Sequence, residues 1–241
     1  MQDWKQAFWL AKFELSESKR VFINLFLYFS LFIVVFVTTS YAVGDFYFGG
    51  LDVFFLLLFT YVPVWIRPKA FQYQKTGTGM WASPAVMMQT QLPIPKKIIT
   101  KSRFIIYFIY SFPFQLFLFV SLYVFSPNIS SDISPMTYIV FSIIWLSFGI
   151  YGGNSALLTD VGAQIKGGKI YFVLTILLWL AIVLFITFFG VIFQHGIVHW
   201  TMIFAQKWPF MSTVLSALLA IFGFLHWQYY MKKAIDKVDY L

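Results

Sequence analysis

The sequence predicts an all-α integral membrane protein with six transmembrane helices, both termini in the cytoplasm and an interfacial helix at the N-terminus. Of its 241 residues, 60% are hydrophobic and only 11% are charged, and the mean hydropathy is +0.79. A soluble domain of this size needs far more charge on its surface, so the composition excludes a soluble protein. Apolar segments long enough to cross roughly 30 Å of hydrocarbon alternate with short polar segments.

The distribution of basic residues predicts the orientation. Sixteen of the 17 Lys and Arg residues lie in four segments predicted to be cytoplasmic, and the predicted outer loops contain only Lys207. This asymmetry follows the positive-inside rule. The four segments are 1–20, 67–103, 160–169 and 231–241. The net charge of +8 therefore reflects membrane topology and does not indicate nucleic-acid binding.

Residues 1–20 predict an amphipathic helix in the cytoplasmic membrane interface. Aromatic side chains recur on one helical face, and lysines recur every seven residues beside it. The predicted interfacial anchors are Trp4, Lys5, Phe8, Lys12 and Lys19. Ala11 and Leu15 extend the same apolar face. The alternative is an ordinary polar segment that leads into the first span.

Six apolar segments are predicted to cross the membrane and to form a single transmembrane domain over residues 1–241. They are 21–43, 47–66, 104–126, 137–159, 170–193 and 210–230. Pro63 is expected to kink the inner end of the second segment. After the fifth span, the semi-polar residues 194–209 predict a short re-entrant or interfacial helix.

The cytoplasmic segment 67–103 carries seven basic residues and no acidic ones. Ser83 and Pro84 suit the N-cap and first position of a short helix, and Pro95 precedes a second helix that continues into the third span. Apolar side chains on this segment predict a protein-docking surface, since Met-rich surfaces often receive partners. The candidate contact residues are Met80, Trp81, Val86, Met87, Met88, Leu92, Lys96 and Lys97. A basic loop held at lipid headgroups is the alternative.

Small residues in the fourth span predict close helix packing. Gly149 and Gly153 have the spacing that lets two helices approach closely. Asn154 is placed to hydrogen-bond across helices or to line a path. The same three residues also fit a dimer contact.

The sequence predicts no catalytic, cofactor-binding or metal-binding residue, and hence a protein that is not an enzyme. The glycines between Gly162 and Lys169 lack the order of a phosphate-binding loop. His195 and His199 share a helical face, but no third zinc ligand is evident. The absence of cysteine excludes disulfides. The predicted spans hold no Lys, Arg or Glu, which argues against an ion-coupled carrier.

The segment LPIPKKIITKSR resembles a segment of the ABC-2 type transporter permeases, in which Leu-Pro precedes basic residues at similar spacing. Gly77-Thr78-Gly79 resembles the Gly-Thr element of that family. The six-span architecture with an interfacial N-terminal helix is also similar. The chain departs from the family pattern at Pro95, where Ser or Thr is usual, and at Gln72, Gln74 and Lys75, where an acidic residue is common.

The resemblance implies a half-size permease that dimerises with itself or with a second permease. It implies pairing with separate subunits that bind ATP, which contact a coupling helix in segment 67–103. It also implies export of a peptide, toxin or other amphipathic compound across a bacterial plasma membrane of the Gram-positive type. The alternatives are an ion-coupled or channel-like carrier without an ATPase and a non-transporting membrane sensor or assembly protein.

Overall fold

The computed structural model describes residues 2–43, 49–75, 81–126, 129, 131, 133–162 and 168–238. It is 86% helical. The α-helices are α1 (Gln2–Ser16), α2 (Lys19–Val43), α3 (Gly49–Thr60), α4 (Val62–Trp65), α5 (Pro84–Gln91), α6 (Lys96–Phe125), α7 (Pro135–Phe148), α8 (Leu158–Val161), α9 (Gly168–Phe193), α10 (Ile197–Lys207) and α11 (Pro209–Lys237). A 3₁₀ turn (Lys69–Phe71) follows α4, and a π-helical turn (Gly149–Gly153) follows α7 directly. Strands β1 (Gln74–Lys75) and β2 (Trp81–Ala82) pair antiparallel.

Five helical segments among the described residues are long and apolar enough to cross a membrane. They are Lys19–Thr38, Lys96–Phe125, Pro135–Val161, Val173–Phe193 and Pro209–Lys237. Each coincides with one predicted span. The prediction of an all-α, multi-pass membrane protein is therefore confirmed.

The second predicted span is an interrupted helical segment. Helix α3 has 12 residues and α4 has four, with Tyr61 between them. Pro63 lies in the first turn of α4, where its missing N–H group costs no helical hydrogen bond. The kink predicted near Pro63 is thus a one-residue interruption of the helix at Tyr61.

Helix α1 and the last turns of α11 lie at the same end of the helical bundle. The Lys97 Nζ atom is 2.9 Å from the Asp3 carboxylate of α1. The Lys96 Nζ atom is 2.9 Å from the Asp236 carboxylate near the end of α11. We call this the basic end of the bundle, and it includes α1, segment 67–103 and the last turns of α11.

Aromatic side chains from α3, α6 and α7 form the centre of the bundle. The rings of Phe55 and Trp145 meet edge to face, with centroids 4.8 Å apart. Phe59 and Phe119 pack beside them at 5.5 Å. Helix α6 continues through Pro113. Because α1, α2 and α11 all pack against α6, this helix is the central element of the fold.

The π-helical turn accommodates a tyrosine from α6. The Tyr107 hydroxyl donates a hydrogen bond to the Phe59 carbonyl at 3.0 Å. A Cβ atom added at Gly153 would lie 1.5 Å from the Tyr107 hydroxyl oxygen, so only glycine fits there. Gly149 lies against Gln115 and Phe59. The two glycines therefore make packing contacts within one chain.

Candidate functional site at the basic end of the bundle

Four charged side chains meet in the protein interior at the basic end. Glu14 comes from α1, Arg67 follows α4, Arg103 lies in α6 and Asp160 lies in α8. Each is at most 2% exposed. We call this group the buried charge network.

The network consists of two ion pairs, Arg67–Asp160 and Arg103–Glu14, which a longer contact between Glu14 and Arg67 connects. Both terminal nitrogens of Arg67 donate to the Asp160 carboxylate, at 2.8 and 2.7 Å. This bidentate geometry is the strongest arrangement for an arginine and a carboxylate. Arg103 Nη1 donates to Glu14 Oε2 at 2.7 Å. Glu14 Oε1 lies 3.9 Å from Arg67 Nη1 and links the two pairs.

Burial and charge act in opposite directions on these groups. Burial raises the pKa of Glu14, and the nearby Arg103 and Arg67 lower it by less. Burial alone would lower the pKa of Arg67, but Asp160 and Glu14 raise it above its ordinary value. Arg67 therefore stays charged, whereas Glu14 binds a proton at a higher pH than an exposed glutamate does.

Arg67 and Arg103 are buried, so two of the seven basic residues of segment 67–103 do not contribute to its surface. The sequence places their acidic partners in separate segments, 1–20 and 160–169. Only nine acidic residues occur in the chain, and four of them lie in these two basic segments: Asp3, Glu14, Glu17 and Asp160. That rarity is the signal from which the pairs could have been suspected.

The buried charge network also holds the start of α5. The Ser83 amide donates to the backbone carbonyl of Asp160 at 3.1 Å. The Ser83 hydroxyl donates to the Phe71 carbonyl at 3.2 Å. The predicted helix start at Ser83 and Pro84 is confirmed, although the hydroxyl bonds to the 3₁₀ turn and does not cap the helix.

Helix α5 has a buried face and an exposed face. Val86 and Gln89 face inward, and Val86 packs in the cluster that contains Ile99 and Val161. The prediction that Val86 is a surface contact is wrong, because a two-turn helix on this support must bury one side. Met88 is 68% exposed and Leu92, just past the helix, is 54% exposed.

The other predicted contact residues have different surroundings. Trp81 is partly exposed and stacks on Tyr73, with ring centroids 5.5 Å apart. Met87 is half-buried. Lys96 and Lys97 are exposed and form the ion pairs with Asp236 and Asp3. Met80 lies outside the described residues.

Helix α1 covers α6 with its small residues. Ala7 and Ala11 are fully buried, so the part of the predicted apolar face that contains Ala11 packs inside the protein. The exposed aromatic residues are Phe8, Trp9 and Phe13, and Trp4 is partly exposed. Lys5, Lys12 and Lys19 are exposed, as an interfacial helix requires. Trp4 also lies under Lys101, whose Nζ is 4.8 Å from the ring centroid.

No cluster of three or more metal-ligating side chains exists among the described residues. His195 and His199 stack at the opposite end of the bundle, with centroids 4.2 Å apart. At the basic end, α5 presents an exposed surface, and the buried charge network lies beneath it.

No protein-family model matches the chain, and the searches of curated proteins and of solved structures also found no match.

Proposed function

We propose that this chain is the membrane-spanning subunit of an ATP-driven exporter, and that α5 at the basic end is the contact for a separate ATP-hydrolysing subunit. The observation that carries this proposal is the construction of α5. Its inner face is buried, its start is bonded to the buried charge network, and Met88 and Leu92 project outward. An exposed pair of apolar side chains on a rigidly packed helix is suited to transmit the movement of a partner subunit to the membrane domain.

The surroundings of α5 favour a partner with a specific chemistry. Lys96 and Lys97 lie next to Leu92, and each shares its charge with a single exposed carboxylate. Lys75, on β1, is also exposed. We infer that the partner offers an apolar socket for Met88 and Leu92 with acidic side chains at its rim.

In this proposal α3 and α4 together cross the membrane, which adds one crossing to those of the five span-length helices and gives six in total. Asp52, near the start of α3, bonds to α10 at one end of the bundle. Arg67, just after α4, belongs to the buried charge network at the other end. The segment between them thus joins the two ends. With the positive-inside rule, this sixth crossing supports the proposal that both termini lie in the cytoplasm.

The proposed dimer, membrane, exported compound and ATP site rest on the resemblance to ABC-2 permeases. The chain would dimerise with itself or with a second permease, in a bacterial plasma membrane. The exported compound would be a peptide, a toxin or another amphipathic molecule. ATP would bind only to the partner subunit.

The test is copurification of an ATP-hydrolysing subunit with the full-length chain from its native membrane, repeated with a variant that carries Met88→Asp and Leu92→Asp. We expect copurification and chain-stimulated ATP hydrolysis to fall at least about tenfold, because two apolar anchors become charged. The unfolding midpoint should barely change, since exposed side chains contribute little to stability.

The matched control exchanges the same two side chains as Met88→Leu and Leu92→Met. This double variant keeps the apolar volume and should retain the partner. Undiminished ATP hydrolysis in the aspartate variant would overturn the assignment of α5 as the contact.

A further inference from the structure

Helix α1 lies across α6 at a steep angle. Near one end of α1, the Asp3 carboxylate is 2.9 Å from Lys97 Nζ and 3.2 Å from Lys101 Nζ. Near the other end, Glu14 accepts a hydrogen bond from Arg103. The two acidic residues are about 16 Å apart along α1, whereas their partners are only about 3–9 Å apart along α6. Because α6 is a span-length helix, α1 lies close to the plane of the membrane.

The level of α1 is that at which the apolar part of α6 begins. The Trp4 ring stacks on Phe224 of α11, with centroids 6.5 Å apart. Phe224 in turn meets Phe104 edge to face at 5.4 Å. Phe104 follows Arg103 and is the first residue of the apolar part of α6. Helix α1 therefore lies at the depth of the lipid headgroups, where tryptophan is enriched in membrane proteins.

Folding removes most of the negative charge from the surface of this region. Residues 2–20 contain four basic and three acidic side chains. Asp3 shares its charge with two lysines of α6, and Glu14 is buried against Arg103. Among the described residues, Glu17 is the one carboxylate of this stretch without a basic partner. The four basic side chains are exposed and form no ion pair within the described part of the chain; they are Lys5, Lys12, Lys19 and Arg20.

Exposed aromatic side chains flank the lysines of α1. Lys5 and Lys12 are seven residues apart and therefore share one face of the helix. Phe8 lies on one side of this face and Trp9 on the other, and Trp9 is 75% exposed. Aromatic and basic side chains together are typical of helices that lie in a membrane interface. The rings can thus contact acyl chains while the lysines reach the headgroups.

We propose that α1 and the first turn of α2 bind anionic phospholipids in the leaflet at the basic end of the bundle. The exposed surface of residues 2–20 carries four positive charges and one negative charge, so a lipid with a net negative headgroup complements it. A zwitterionic lipid offers no such complementarity. Each basic residue near the headgroups contributes about fivefold to the preference. This surface needs no partner subunit and is separate from the α5 contact.

The test uses the purified full-length chain in nanodiscs that contain equal amounts of phosphatidylglycerol and phosphatidylcholine. In separate experiments one or the other lipid carries a photoreactive diazirine on its acyl chain near the glycerol, and labelled peptides are mapped by mass spectrometry. We expect phosphatidylglycerol to label residues 2–20 at least about fivefold more than phosphatidylcholine does. The excess should shrink as salt is added, because exposed charges are screened.

A triple variant removes the lysines of this surface: Lys5→Gln, Lys12→Gln and Lys19→Gln. Its labelling by the two lipids should become nearly equal. The first control replaces the same three lysines with arginine, which keeps the charge and should keep the preference. The second control removes three exposed lysines of the basic end that lie outside α1 and α2, and residues 2–20 should then label as in the unmodified chain. The substitutions of this second control are Lys69→Gln, Lys75→Gln and Lys237→Gln.

Equal labelling of residues 2–20 by the two lipids in the unmodified chain would overturn the proposal and leave an acidic protein as the occupant of α1. An undiminished preference in the glutamine variant, or its loss in the arginine variant, would equally rule out recognition by charge. If the glutamine variant does not fold, the salt dependence of the unmodified chain decides, and a preference that does not respond to salt contradicts the proposal. No ATP-hydrolysing subunit is present in the nanodiscs, so failure here leaves the α5 proposal standing.

Discussion

The two ends of the bundle both bury carboxylates, but they neutralise them differently. At the basic end, Glu14 and Asp160 bond to arginines from distant segments. At the opposite end, the Asp52 carboxylate accepts hydrogen bonds from the amides of Ile197 and Val198, at 2.9 and 3.0 Å. Those amides begin α10, so Asp52 acts at a helix N-terminus.

This difference determines how much stability the protein loses when one member of each interaction is removed. In an ion pair, removing one member leaves a full charge buried without compensation. At a helix N-terminus, removing the carboxylate leaves two neutral amides without their acceptor but no uncompensated full charge. The basic end should therefore be the more sensitive of the two. This fits a support that must stay rigid beneath α5.

The largest expected effect comes from breaking the bidentate pair. Asp160→Ala removes the bidentate partner of Arg67 and leaves this buried arginine only the longer contact with Glu14, which should lower the free energy of unfolding by about 3–5 kcal/mol. The measurement is thermal or denaturant unfolding in detergent.

A double variant sharpens this test. Arg67→Met combined with Asp160→Leu removes both charges and should recover most of the lost stability. If the double variant is as unstable as Asp160→Ala, the loss does not come from an unpaired charge.

A smaller effect is expected at the opposite end. Asp52→Ala should lower the free energy of unfolding by about 1–2 kcal/mol, as for loss of a helix cap. Hydrogen exchange should show faster opening in the first turn of α10 and little change in α5. Asp3→Asn, on an exposed carboxylate, is the control and should change stability by less than about 1 kcal/mol. A loss at Asp52 as large as that at Asp160 would break the comparison between the two ends.

The smallest effect is a pH dependence at the opposite end. Burial lowers the pKa of His199, the neighbouring His195 lowers it further, and Asp52 opposes both. The folded state therefore favours neutral His199. Its contribution to stability is fully present above the ordinary histidine pKa of 6.5 and is lost as the pH falls through the interval below that value.

The His199→Gln variant tests this dependence directly. It should flatten the slope of unfolding midpoint against pH just below 6.5, relative to the unmodified chain. A slope that is unchanged by the substitution would assign the dependence to other groups.

Several elements could be predicted from local signals. The five long apolar segments determined the membrane class, and Ser83, Pro84 and Pro95 located the boundaries of α5 and α6. Val86 was misassigned because an apolar residue in a short, weakly amphipathic helix gives no sign of which face meets the protein. The interruption at Tyr61 was expected only as a kink, since Pro63 fixes where a helix can begin but not whether the preceding helix continues.

The cavity of about 310 Å³ between α6, the π-helical turn and α11 could not have been predicted as a whole. Tyr107, Ser111 and Gln115 form a helical row in the sequence, but polar residues in an apolar span have many possible partners. Only the approach of α11 and the π-helical turn leaves Gln115 buried beside an open space.

The sequence by itself determined that this chain is a multi-pass membrane protein, where its five long apolar helices lie and which end of the bundle carries most of the basic residues. These properties follow from composition and from the solubility of each segment in lipid or water. Only the tertiary structure decided that Arg67 and Arg103 turn inward to Asp160 and Glu14. Ion pairing between segments depends on which side chains the fold brings within about 4 Å, and no single segment contains that information.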